Sequence, residues 1–298
     1  MGAVIKGVAI CQKHPESAID NAVGAGLDCL QESGCEPGQI DLLINVGIYR
    51  EDNIMEPSIA SLIQQKMEVN PDPARQGIQR RTFSFDLANG ACGFLNAVSV
   101  AAAALARGQI RNALILSADL HPSRITTPEF PFTNVGGAVL LQHDADPARG
   151  FGTVHVGSSN DGSYQGYLTH GAMKDFGNRG RAFALFSGQA DYPERFCEFA
   201  VESAVRCLNR EQTRPGELDA LITTQVAAGL PSLVAEGVGV QGDCCVPDLN
   251  ADWGDPHTSV PAICLHQLWW EQQLVPGKKL LFAAVSAGIS SACAVYRV

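Results

Sequence analysis

The chain has 298 residues, 46% of them hydrophobic and 17% charged, with a formal net charge of −10. That length and apolar content can bury one large core or two packed halves. The acidic balance argues against nucleic acid or an anionic membrane as the main partner. Ten cysteines without a signal peptide fit a reducing, cytoplasmic setting better than a disulfide framework. No His/Cys group has zinc spacing, no Walker loop or strand-linked GxGxxG is present, and no apolar run reaches membrane-spanning length.

Taken in order, Ala3 to Ile10 reads as a first strand. Ile19, Ala22, Val23, Leu27 and Leu30 recur at helical spacing, and Gly34 can close that helix. Pro37-Gly38 then turns the chain into a buried strand ending at Ile44. An apolar run, Thr82 to Leu87, leads through small residues to Cys92 and an Ala-rich helix ending at Ala106, followed by the strand Ala113 to Ser117. Short strands are expected at Gly137 to Gln142 and Gly152 to Ser158. The Pro/Gly/polar stretches Ile125 to Val135 and Ser159 to Arg181 read as functional loops. Farther on, a helix from Ser259 to Leu274 precedes the strands Lys279 to Val285 and Ala292 to Val298.

This order contains a repeat. Ala200, Val201, Val205, Cys207 and Leu208 stand 178 positions after Ala22, Val23, Leu27, Cys29 and Leu30. Pro215 to Ile222 repeats Pro37 to Ile44 at the same offset. One offset shared through a helix, a turn and a strand indicates an internal duplication. We place the halves at 1–150 and 151–298, each alternating strand and helix with crossovers long enough for parallel pairing.

The turn Asn89-Gly90-Ala91-Cys92-Gly93 places a cysteine near a helix start, where unpaired N–H groups and the helix dipole favour a thiolate. A buried, inert cysteine is the alternative. A pseudo-twofold relation between the halves would bring the second helix start opposite the first. The loop entering it, Ala251 to Pro261, holds Asp252, Asp255 and His257, groups able to activate a thiol or protonate an intermediate. Trp253 could wall such a site, and His121, after the strand ending near Asp119, could line it or be a hydrogen-bonded loop residue.

The chain resembles the ketoacyl synthase III-like branch of the thiolase superfamily over nearly its whole length. The similarity rests on Asp86 to Phe94, on Asn134-Val135-Gly136-Gly137-Ala138, on Asp161-Gly162-Ser163, on Ser259-Val260-Pro261 and on Val285-Ser286-Ala287-Gly288. The resemblance implies a duplicated five-layer α/β/α/β/α fold and a homodimer, a heterodimer with a related chain being the alternative. It implies acylation of Cys92 by an acyl-CoA or acyl carrier protein thioester, with no cofactor beyond that thioester, and transfer to an acceptor by Claisen-type condensation. Transfer to an amine or hydroxyl, or service as a non-catalytic subunit, are the competing readings. In such a site the N–H groups of Cys92 and of Ala287 or Gly288 would hold the oxyanion. The family's His after the strand at Ala220 to Ile222 is replaced here, with Thr224 closest, and its Asn by the Gly254-Asp255 region. His257, oriented by Asp255, is then the candidate acid/base. Glu56, before Pro57 in a segment that crosses the family's dimer interface, is the candidate base donated to a neighbouring subunit.

Overall fold

The computed structural model describes residues 2–70, 81–124, 130–159, 164–170, 182–188 and 191–298. Its first sheet uses β1 (Ala3–Cys11), β2 (Leu42–Asn45), β3 (Phe83–Asp86), β4 (Asn112–Ser117) and β5 (Gly136–His143), in the order β1-β5-β4-β2-β3. The helices among them are α1 (Ala18–Ser33), α2 (Ile59–Lys66) and α3 (Gly93–Ala106). After β6 (Gly150–Phe151) and β7 (His155–Ser158), the strands β8 (Tyr164–His170) and β9 (Ala182–Gly188) pair as a separate antiparallel ribbon. The chain then runs through α4 (Tyr192–Arg210), β10 (Ala220–Thr223), α5 (Leu230–Val238), α6 (Asn250–Trp253), α7 (Val260–Trp270), β11 (Lys279–Ser286) and β12 (Ser290–Arg297). The second sheet has the order β10-β11-β12-β6, with β7 also on β12.

The duplication is visible in the pairing. β2 lies parallel to β4, which lies antiparallel to β5; β10 lies parallel to β11, which lies antiparallel to β12. The expectation of parallel pairing across the strand–helix–strand crossovers holds, and the further strands β5 and β12 return antiparallel to β4 and β11. β3 is parallel to β2, whereas its place in the second half is taken by an isolated bridge between Ala220 and Cys245.

Strand alternation assigns the layers. Leu43, Leu114 and Leu140 pack outward with α1 and α2, while Ile44, Ile115 and Val139 pack inward with α3 and α7. In the second sheet Leu221, Leu281 and Val295 face α4 and α5, and Ile222, Phe282 and Ala294 share the central core. The result is helix, sheet, paired helices, sheet, helix: five layers around one central hydrophobic cluster.

Local chemistry fixes the ends that matter. Ser17 accepts from Asp20 N to cap α1, and Gly34 closes it in the left-handed conformation. Asp86, at the end of β3, accepts from the N–H groups of Ile59 and Ala60 and pairs with Arg50 at 3.1 Å, docking α2 on the sheet edge. The strand expected over Gly152 to Ser158 is shorter, since 152–154 carry no ladder and β7 starts at His155. The expected loop Ser159 to Arg181 contains β8 instead, and the expected helix Ser259 to Leu274 is observed as Val260–Trp270.

Candidate active site

The site is assembled at the facing starts of α3 and α7, as the duplication requires. Each helix is preceded by a 3-10 turn, Gly90–Cys92 in one half and His257–Ser259 in the other. Ser117 at the end of β4 and Ser259 join their hydroxyls at 2.8 Å, tying the two halves together just behind these turns.

Asp119, two residues past β4, is the buried anchor of the site and is 0% exposed. Its Oδ1 accepts from the N–H groups of Ile48 and Tyr49, both at 2.8 Å. Its Oδ2 accepts from Thr258 N and Thr258 Oγ1 and lies 3.0 Å from His257 Nδ1. A carboxylate there places the ring proton on Nδ1, leaving Nε2 of neutral His257 as an acceptor. The imidazole stacks on Phe132 with centroids 4.3 Å apart. Burial works against charge on His257, but the charge and hydrogen bond of Asp119 outweigh it and hold its pKa above 6.5. Burial likewise opposes charge on Asp119, and His257 and Thr258 reverse the balance and keep its pKa below 3.8. The pair is thus built to carry charge.

In front of His257 lies a cleft of about 360 Å³, lined among others by Tyr49, Gly90, Ala91, Phe132, Thr224, His257, Ser286 and Ala287. Gly90 sits at φ +50° on the cleft wall. A Cβ at Gly90 would overlap Ser286 Oγ and stand 3.7 Å from His257 Nε2, so the missing side chain leaves room between these two groups.

Cys92 does not enter this cleft. Its side chain belongs to the central core, 1% exposed, with Sγ 3.5 Å from the carbonyl oxygens of Ala284 and of Ser290. Burial pushes its pKa up to about 12. Against the expectation of a thiolate at the helix start, desolvation and the two carbonyl acceptors favour the neutral thiol. The residue of the turn that does line the cleft is Ala91. In a 3-10 turn, successive side chains are about 120° apart, so a shift of one position exchanges the cleft for the core. The N–H of Cys92 donates to Asn89 O at 3.0 Å.

The other expected residues divide. His257 lines the cleft; the Oδ1 of Asp255 accepts from His257 N, while the ring is held by Asp119 rather than by Asp255. Burial raises the pKa of Asp255. Thr224 lines the cleft, yet its hydroxyl donates to Val285 O and accepts from Val285 N, bridging β10 to β11. Ala287 lines the cleft and Gly288, at φ +112°, completes the turn between β11 and β12. Trp253 ends α6 and packs against the central core, outside the residues lining the cleft. His121 is buried, its Nδ1 accepts from Ser123 N, and its ring meets the edge of Phe130. Glu56 is exposed and lies outside the cleft of its own chain. Asp161-Gly162-Ser163 lies outside the described residues.

Comparison with known proteins agrees with the fold. The model of the 3-oxoacyl-[acyl-carrier-protein] synthase III family matches residues 85–160, and the model of that family's C-terminal part matches 208–298. The β-ketoacyl-[acyl-carrier-protein] synthase III of Koribacter versatilis is 24% identical over 94% of this chain and 83% of its own. That of Serratia proteamaculans is 28% identical over 81% and 72%. Among solved structures, the priming β-ketosynthase of the R1128 polyketide biosynthetic pathway superposes with a TM-score of 0.82 at 18% identity, covering 100% of this chain and 96% of the other. Xanthomonas campestris OleA with bound lauric acid and lauroyl-CoA superposes with a TM-score of 0.79 at 16% identity, covering 100% and 99%. The chain belongs to the 3-oxoacyl-[acyl-carrier-protein] synthase III family of the thiolase superfamily. Among the described residues, no helix is long and apolar enough to cross a membrane.

Proposed function

We propose that this chain transfers an acyl group from a CoA or acyl carrier protein thioester to an amine or hydroxyl acceptor, using His257 as proton-transfer group and forming no acyl-Cys92 intermediate. One observation carries the reading: His257 Nε2 faces the cleft while Cys92 Sγ is turned into the core against two carbonyl oxygens. Family membership supports the thioester as donor. The commitment of the Thr224 hydroxyl between two strands favours nitrogen or oxygen acceptors over Claisen condensation, which needs donors for an enolate.

The test offers small, branched, long and aromatic acyl groups as CoA and carrier thioesters, with amine and alcohol acceptors, and follows thiol release. Cys92→Ala should retain the rate of the parent chain, and His257→Ala should lose roughly 10²–10⁴-fold, the range of general acid–base catalysis. An acyl adduct mapped to Cys92 and lost in Cys92→Ala would overturn the proposal.

A second reading is a non-catalytic subunit that keeps the fold and completes a related synthase. The observation in its favour is that no cysteine is among the residues lining the cleft. It predicts no thiol release with any donor and preferential heterodimer formation in sedimentation with a catalytic family member. Glu56, exposed and not among the residues lining its own cleft, is proposed to act in the cleft of a neighbouring subunit.

A further inference from the structure

Ser286 is the residue of the cleft that the established features leave unexplained. It closes β11, is 7% exposed, and lines the cleft with His257. Its neighbours Thr223, Thr224 and Ser291 each spend their hydroxyls on hydrogen bonds within the protein. Among the described residues, no bond of this kind is made by Ser286 Oγ, and none by His257 Nε2.

The space between these two atoms is kept open by Gly90. A side chain at that position would overlap Ser286 Oγ and approach His257 Nε2. The far side of the imidazole is fixed by Asp119, whose carboxylate is anchored by three backbone N–H groups and one hydroxyl. A hydroxyl, an imidazole acceptor and a buried carboxylate holding the other ring nitrogen are the three functions of a serine nucleophile system, recognised by role and geometry rather than by chain order.

We propose that Ser286 is the nucleophile of the acyl-transfer site, activated by His257 and Asp119. This inference rests on the acyl-transfer reading above and adds a covalent intermediate to it. Ser286 Oγ attacks the thioester carbonyl carbon while its proton passes to His257 Nε2. The C–S bond then breaks, the leaving thiol takes that proton, and an acyl ester remains on Ser286. The amine or hydroxyl acceptor gives its proton to His257 and attacks the ester carbonyl. Ser286 Oγ regains the proton as the ester bond breaks.

The test uses the full chain and a fluorophosphonate probe, which forms a P–O bond with an activated serine and expels fluoride. Peptide mass mapping should place one adduct on Ser286 in the parent chain and in Cys92→Ala. The adduct should be absent in Ser286→Ala and at least tenfold slower to form in His257→Ala. Ser286→Cys, with a nucleophile kept at the same point, should form a thioester adduct with an acyl-CoA donor, which guards against loss of labelling through misfolding. Labelling that persists in Ser286→Ala, or is absent from both the folded parent and an acylation-negative Ser286→Cys, would overturn the proposal. If acyl transfer continues at the parent rate in Ser286→Ala, the nucleophile assignment fails while the His257-dependent reading stands. If transfer is absent from the parent with every donor, the acyl-transfer reading itself fails.

Discussion

His257 Nδ1 and Asp119 Oδ2 lie 3.0 Å apart although 138 positions separate them in the chain, and the contact joins the two halves of the duplicated fold. Asp119 follows a strand of the first sheet and His257 opens the last helix of the second half. The distance therefore reports how the halves are docked, and the same contact fixes which ring nitrogen meets the cleft. The orientation of the His257 ring is thereby made dependent on the integrity of the interface between the halves.

The first prediction concerns pH. His257 must be neutral to accept a proton, and its pKa is held above 6.5 against the effect of burial by Asp119. Turnover should thus rise with pH through a midpoint above 6.5. Asp119→Asn removes the charge that raises the midpoint, so the remaining activity should show it displaced toward lower pH. Stability obeys the opposite sense. A raised histidine pKa contributes stability fully below the unfolded value of 6.5, and this is lost as pH rises through the folded value. The lowered carboxyl pKa of Asp119 contributes above 3.8 and is lost as pH falls below that value through the folded one. Urea titrations of the parent chain and Asp119→Asn should differ most at about pH 5–6, with a maximum gap of about 3–5 kcal/mol for a broken buried pair, and the gap should narrow without closing as pH rises through the folded histidine value. A gap independent of pH would show that the pair is uncharged.

The second prediction separates Cys92 from chemistry. Removing its buried sulfur should cost about 1–2 kcal/mol of stability through lost packing. Turnover of Cys92→Ala should remain within about twofold of the parent. Iodoacetamide at about pH 8 should leave Cys92 unmodified in the folded chain and label it on unfolding, as a thiol pushed up to about 12 requires. Rapid native alkylation at Cys92 would contradict the burial.

The third prediction concerns Glu56. If it serves a neighbouring cleft, Glu56→Gln and His257→Ala should each be weak alone, and their mixture should regain activity. A mixed dimer holds one site with both groups, so statistical exchange should restore about one quarter of the parent rate. Absence of recovery after subunit exchange, verified by native mass spectrometry, would remove Glu56 from the site.

Much of this arrangement was legible in the sequence. The offset between Ala22 and Ala200, and between Pro37 and Pro215, announces the duplication that the two sheets display. It places His257 opposite the Gly90–Cys92 turn because hydrophobic spacing and turn residues encode element order. The direction of a side chain on a 3-10 turn is not encoded in that way. Cys92 was the conspicuous residue and Ala91 the inconspicuous one, yet Ala91 lines the cleft. Asp255 looked like the partner of His257 by proximity in the chain, whereas the ring is held by Asp119 from the other half. The signal for Asp119 was a carboxylate just beyond the C-terminal end of a buried parallel strand, a position that points toward a crevice in such sheets. Ser286 stands in the sequence only as part of the Val285-Ser286-Ala287-Gly288 stretch, and its relation to Gly90, a small residue opposite a hydroxyl, belongs to the folded state alone.

The last prediction uses the residue that the turn does present. Ala91 lines the cleft together with His257. Ala91→Cys should therefore introduce a reactive thiol that Cys92 does not supply. The variant should take up one equivalent of acyl group from acyl-CoA, seen as a single mass increment mapped to position 91, with Cys92 unmodified in the same peptide. His257→Ala in that background should slow the adduct by roughly 10²-fold or more, since the new thiol would depend on the imidazole for its proton. The added sulfur is a small overpacking at a nearly buried position and should cost about 1–3 kcal/mol. A folded Ala91→Cys chain that remains unacylated, or that is acylated at position 92, would show that the turn does not direct position 91 toward the cleft.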